Sequence, residues 1–149
     1  EIMKGASSVL YGSGALNGVI ALTEKEPGPK GTLKAKIQTG IYDNPKRSSM
    51  KWWDKNPMFH MADIYYGKSN KNFGFTIGAN AYLDSGFRMH ESEERYRLNG
   101  TFYFKPEKNK KLKTGLSYNM QYQDVGVFVL WKNDSMGYVP QDNTIDRQK

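Results

Sequence analysis

The chain contains no cysteine, which removes disulfides, thiolate metal sites and a thiol nucleophile at once. Histidine is scarce, with only His60 and His90. Long hydrophobic runs are missing as well. A spanning helix needs about 18 consecutive apolar residues, and the richest stretch, Val125-Gly126-Val127-Phe128-Val129-Leu130-Trp131, is far shorter. The mean hydropathy of -0.75 resembles that of a soluble protein. Membrane β-strands escape that test, because lipid-facing and lumen-facing residues alternate and average to polar. Neither a basic n-region nor an apolar h-region opens the chain at Glu1, and residues 142–149 are polar, so an internal fragment of a longer protein is expected.

What is present is aromatic and basic. The 149 residues suffice for one ordinary domain. Ten Tyr against three Trp, in an aromatic share of 13%, favour β-structure, and Tyr also suits a membrane interface. The formal net charge of +7 predicts attraction to anionic surfaces or nucleic acid.

Beyond Pro27-Gly28-Pro29 the hydrophobic period becomes two, the signature of half-buried strands. Residues 32–41 put Leu33, Ala35, Ile37 and Ile41 on one face, opposite Lys34, Lys36 and Gln38. Residues 73–84 put Phe73, Phe75, Ile77, Ala79, Ala81 and Leu83 together. Residues 112–123 repeat the rhythm, and 59–68 and 95–105 alternate less regularly. The better strands run for about a dozen residues, against a mode of about 5–6 in globular sheets. A tilted membrane-crossing strand needs about 9–11. The connections alternate too: Ser69-Asn70-Lys71-Asn72 is tight and 106–111 is short, whereas 43–58 and 85–94 are long. Short turns at one end and long loops at the other are expected of an outer-membrane barrel. On that path, residues 125–149 are mostly outer loop.

Candidate chemical motifs are weak. Gly12-Ser13-Gly14-Ala15-Leu16-Asn17-Gly18 does not match the dinucleotide fingerprint, and no Gly-Lys-Ser/Thr follows, so a glycine-rich turn is the better account. Gly5-Ala6-Ser7-Ser8 does not match a nucleophile elbow. His60 and His90, near Asp54, Glu91, Glu93 and Glu94, lack any specific metal-ligand spacing. The Lys-rich run from Lys105 to Lys113 reads as a solvated turn that could also meet lipid headgroups. Trp52, Trp53 and Trp131 suit loop packing, interfacial anchoring or stacking on a ligand. Lys34, Lys36, Asp63, Arg95 and Arg97 should point to the polar side, either solvating a lumen or forming an electropositive path for an anionic solute. No catalytic constellation is visible, so no enzyme, cofactor or bound metal is expected.

The first residues carry a resemblance. Lys4-Gly5, Leu10-Tyr11-Gly12, Gly14 and Gly18-Val19-Ile20 form a strand, a small-residue turn, a glycine-rich loop and a second strand. That order resembles the C-terminal part of the plug domain in TonB-dependent outer-membrane receptors. Two positions depart from the family pattern: Ala6 stands where Pro is frequent, and Glu26 where a basic residue is common.

The resemblance covers roughly residues 1–28 and implies a mainly β protein. Residues 1–28 would be a β-α-β piece of the plug domain. Residues 29–149 would be the first strands, about five, of an antiparallel transmembrane β-barrel that in the family has about 22 strands around a plugged lumen. It further implies energised import across the outer membrane of a Gram-negative bacterium. A scarce solute (siderophore, cobalamin, glycan or peptide) binds outside, and the TonB complex pulls on the plug through an N-terminal segment that the fragment lacks. The expected partners are outer-membrane lipid, the solute and the TonB complex, and not nucleic acid. Two other readings stay open: a passive outer-membrane porin, and a soluble basic β-domain that binds a polyanion such as nucleic acid.

Overall fold

The computed structural model describes residues 2–4, 18–20, 26–108 and 112–141. Near the N-terminus, β1 (Ile2–Lys4) pairs antiparallel with β2 (Gly18–Ile20), matching Ile2 with Ile20 and Lys4 with Gly18. The helical turn expected between them lies outside the described residues.

Five long strands follow: β3 (Thr32–Ile41), β4 (Met58–Ser69), β5 (Phe73–Asp84), β6 (Glu93–Phe104) and β7 (Thr114–Val125). They form one open antiparallel sheet in the order β3-β4-β5-β6-β7, each strand beside its predecessor in sequence. A mainly β fold is therefore borne out, and β3 and β5 span the residues that the alternation indicates. β6 and β7 are shifted from expectation. Lys105 falls outside β6, and Leu112 and Lys113 precede β7, because pairing of Phe104 with Thr114 closes the ladder there. At the far end the ladder runs on to Glu93 opposite Val125.

Alternation gives the sheet two unlike faces. The cross-strand row Ala35, Ile64, Ala79, Leu98, Met120 lies on one face, flanked by the rows Ile37, Ala62, Ala81, Tyr96, Tyr122 and Leu33, Tyr66, Ile77, Gly100, Tyr118. Fifteen of the twenty exposed large hydrophobic residues belong to this face, with Ile37 exposed by 85% and Leu116 by 69%. Its aromatic residues are not spread evenly. Near the short turns, Tyr66, Phe75, Phe102 and Tyr118 form a chain of ring contacts with centroids 5.8–6.4 Å apart. Phe73 and Phe104 sit beside it at 4.8 Å. Toward the loops, Tyr96 and Tyr122 pair at 6.4 Å. Between these belts the residues are aliphatic.

Among the described residues, Trp53 and Tyr103 are the only buried aromatic ones, and no Val, Ile, Leu or Met is buried. Neither belongs to the apolar face. No described strand packs across that face, so among the described residues the hydrophobic side of the sheet has no inner layer to form a core with.

The two ends of the sheet differ. At the turn end, Asn70 closes the β4–β5 connection, its side-chain oxygen accepting from the amides of Asn72 (3.0 Å) and Phe73 (2.7 Å). At the loop end, the long connections pack on one another. Trp53 lies between Trp52 (5.7 Å) and Phe87 (5.6 Å), and Phe87 also meets Tyr42 (5.5 Å) and Tyr138 (4.6 Å). The Trp52 indole N–H donates to the Phe87 carbonyl at 3.0 Å, and the Met89 amide donates to the Tyr138 carbonyl at 2.8 Å. Segments from all three loop regions thus form one cap.

Candidate functional site

The candidate site is the other, polar face of the five-stranded sheet. Its residues alternate with the apolar ones, so strand pairing itself assembles them. One row runs straight across the sheet: Lys36, Asp63, Asn80, Arg97, Gln121. Within it the Asn80 amide donates to the Asp63 carboxylate at 2.6 Å, and Arg97 Nε donates to Gln121 at 2.6 Å. The neighbouring row is Lys34, Tyr65, Gly78, Asn99, Asn119. Such amide and hydroxyl groups present donors and acceptors together. A concavity of about 1040 Å³ opens on this face near the turn end, lined by Lys34, Tyr65, Thr76, Asn99 and Thr101, with Glu26 at its rim.

All five polar-face candidates from the sequence, Lys34, Lys36, Asp63, Arg95 and Arg97, share this face. They do not form a uniformly cationic track. Arg95 pairs with Glu93 at 2.8 Å and lies over the Tyr82 ring at 5.0 Å. Gln123 also donates to Glu93, at 3.2 Å. With Asp63, Asp84 and Glu93 on the same face as Lys34, Lys36, Arg95 and Arg97, opposite charges are interspersed. Interspersed signs give a short-ranged field, better suited to local hydrogen bonding than to long-range steering of anions.

Asp84 ties the polar face to the cap. Its carboxylate accepts from the hydroxyls of Tyr42 and Tyr82, both at 2.8 Å, and from the Gly86 amide at 2.8 Å. Burial, reinforced by the adjacent Asp84 carboxylate, pushes the Tyr42 phenol well above its ordinary value. The protonated, hydrogen-bond-donating form of Tyr42 is thereby favoured.

The tryptophans separate. Trp53 is buried inside the cap, Trp52 is half-buried beside it, and Trp131 is exposed on a short bridge to Pro140. Trp53 thus serves loop packing and offers no face to a ligand. His60 lies on the apolar face near its loop end, within 3.1 Å of the Thr39 hydroxyl. Among the described residues no group of three or more His, Cys, Asp or Glu is placed to hold a metal ion. Of the plug-like motif, Lys4, Gly18, Val19 and Ile20 fall in the β1–β2 pair; Gly5, Leu10, Tyr11, Gly12 and Gly14 lie outside the described residues.

Sequence reasoning missed one cluster altogether, at the turn end. Tyr103 fits between Gly74 and Gly115, its register partners. Its ring occupies the space a Cβ on Gly74 would take, at 2.2 Å. Lys105 and Lys113, on either side of the β6–β7 turn, approach that ring at 5.4 and 4.4 Å and both grip the Glu26 carboxylate, at 2.5 and 3.0 Å. These two lysines hold the Glu26 carboxyl below its ordinary value. In the sequence Glu26 stands out only as a departure from a family pattern. Its partners lie 79 and 87 residues away, beyond any local signal. Compared with family models, curated proteins and solved structures, the chain finds no match in any of the three.

Proposed function

We propose that this chain is part of a TonB-dependent outer-membrane receptor, with the five-stranded sheet forming a section of its barrel wall. The observation that carries the reading is the uncovered apolar face. Fifteen large hydrophobic side chains are exposed on it. At about 1 kcal/mol each for the part left exposed, burying them is worth on the order of 15 kcal/mol. That equals the whole net stability of an ordinary domain, about 5–15 kcal/mol. A monomer in water does not leave so large a patch open.

The dimensions favour lipid as the cover. From Phe73 to Leu83 is about 33 Å at 3.3 Å per residue. Tilted by about 40°, that projects to roughly 25 Å, the height of the apolar band on outer-membrane barrels. Aromatic belts toward both ends and an aliphatic middle suit two interfaces and a hydrocarbon core. On this reading the polar face lines the lumen and the loop cap faces outward. The β1–β2 segment, with its plug-like residues, belongs to the plug, which the TonB complex pulls through an N-terminal segment outside this chain. A porin would share the wall but not the plug-like motif, and a soluble polyanion-binding domain would need a second layer over the apolar face.

These 149 residues contribute no cysteine of their own to the test. Single cysteines placed at successive positions of β6 in the complete protein, in native envelopes, should alternate. Those at Leu98 and Phe102 should meet lipid-soluble quenchers, and those at Asn99 and Thr101 aqueous thiol reagents. Equal aqueous labelling along the strand refutes the membrane wall. Transport itself is tested by uptake of candidate solutes before and after collapse of the proton-motive force. Uptake that ignores the collapse refutes energised import.

A further inference from the structure

The three residues that lead into the sheet, Glu26-Pro27-Gly28, are held in two different ways. Pro27 is buried against Gly67, where a Cβ would stand 3.0 Å from its ring. The Pro27 carbonyl accepts from the Ser69 hydroxyl, and the Gly28 carbonyl accepts from the amides of Gly31 (3.1 Å) and Ser69 (3.2 Å). This hold uses backbone groups, the Ser69 hydroxyl and a packed ring at the end of β4. The second hold crosses to the opposite side of the sheet. There Glu26 takes Lys105 and Lys113 on its two oxygens, with the Tyr103 hydroxyl at 3.5 Å. All three charged groups remain in contact with water, at 41%, 35% and 50% exposure. Ion pairs so exposed are screened by salt and exchange readily, whereas the pin sets a buried Pro27 ring beside several hydrogen bonds that must break together in a local unfolding.

We propose that Glu26-Pro27-Gly28 is a two-stage anchor: a releasable ionic latch at Glu26, backed by a fixed pin at Pro27–Gly28. Tension arriving from the N-terminal side meets the latch first. Its release frees the chain from β6 and β7 while the pin still holds the start of β3 in the sheet. The strands are thereby shielded from a pull that moves the N-terminal segment. The mechanical role rests on the receptor reading; the latch and the pin do not.

The experiment uses the full-length protein in detergent at low ionic strength, with lysine methylation followed residue by residue by mass spectrometry. Glu26→Gln should raise the labelling rates of Lys105 and Lys113 severalfold, with Lys71 as an unchanged reference, and high salt should do the same to the unaltered protein. A spin-label pair at Gly28→Cys and Asn119→Cys reports the pin; a Cβ at Gly28 meets nothing within 4 Å. Its distance should stay narrow in Glu26→Gln and broaden in Ser69→Ala, a variant that leaves the two lysines slow. Unchanged lysine rates in Glu26→Gln overturn the latch, and a pair that broadens in that variant overturns the independent pin. In energised cells the two lysines should label faster than in uncoupled ones. Labelling indifferent to energisation overturns the tension role while leaving the two-stage anchor intact.

Discussion

Leu98 lies in the middle of β6, five residues from Glu93 and six from Phe104. At 3.3 Å per residue and a tilt of about 40°, that is roughly 13 Å from one end of the wall and 15 Å from the other. Arginine there would sit near the midplane of the bilayer. The expected cost of Leu98→Arg is about 2–4 kcal/mol, because the guanidinium loses its water and finds no counter-charge in the row Ala35, Ile64, Ala79, Met120. At the turn end, Thr114→Arg reaches the interface and should cost about 0–1 kcal/mol. Asn99→Arg, one residue along on the polar face, should stay within about 0.5 kcal/mol. The assay is urea-dependent folding of the complete protein into lipid vesicles, with heat-modifiable gel migration as the readout. The ordering matters more than any single value. If Leu98→Arg is tolerated as well as Asn99→Arg, the apolar face does not meet hydrocarbon, and the barrel reading falls with it.

Three further outcomes follow from the loop cap and the latch. Gly126→Ala would bring a Cβ to 1.6 Å from the His90 carbonyl oxygen; it should cost about 1–3 kcal/mol of overpacking and raise protease cleavage in the loops while leaving the strands intact. Trp53→Ala removes the buried ring of the cap and should cost about 3–5 kcal/mol, seen as loop cleavage and loss of the blue-shifted tryptophan fluorescence. The Glu26 carboxyl is held below its unfolded value, so its contribution is fully present above that value and disappears as the pH falls through the depressed one. With exposed partners it is worth at most about 1 kcal/mol; the stabilities of the natural protein and Glu26→Gln should converge on acidification below about pH 4.5, and a constant difference would refute the latch energetics.

The sheet was legible because period-two patterning sets side-chain faces directly, and because Asn70 and the Lys-rich turn punctuate it. Even the less regular segment of β4 resolved correctly, since His60 and Lys68 interrupt the hydrophobic face only toward its two ends. Strand ends were less legible. Leu112 keeps the alternation, yet the ladder begins at Thr114, because pairing is decided by the partner strand and not by the residue's own character. The polar face could be read as a list of residues but not as a network. Asn80 with Asp63 and Arg97 with Gln121 meet only once the register is known. Burial of Trp53 and the grip on Glu26 depend on loops and turns brought together by the sheet, where no periodicity exists to follow.

Every long strand pairs with its immediate successor, so the sheet has low contact order and can be laid down one hairpin at a time. The Glu26 clasp is different in kind. Lys105 and Lys113 flank the last of those hairpins, so the carboxylate finds both partners only after β6 and β7 have met. Closure of a loop of more than eighty residues is slow and entropically costly when the chain is loose, and nearly free once intervening strands are in register. Formation of the clasp therefore works as a completion mark in assembly, made when the fifth strand is in place and not before.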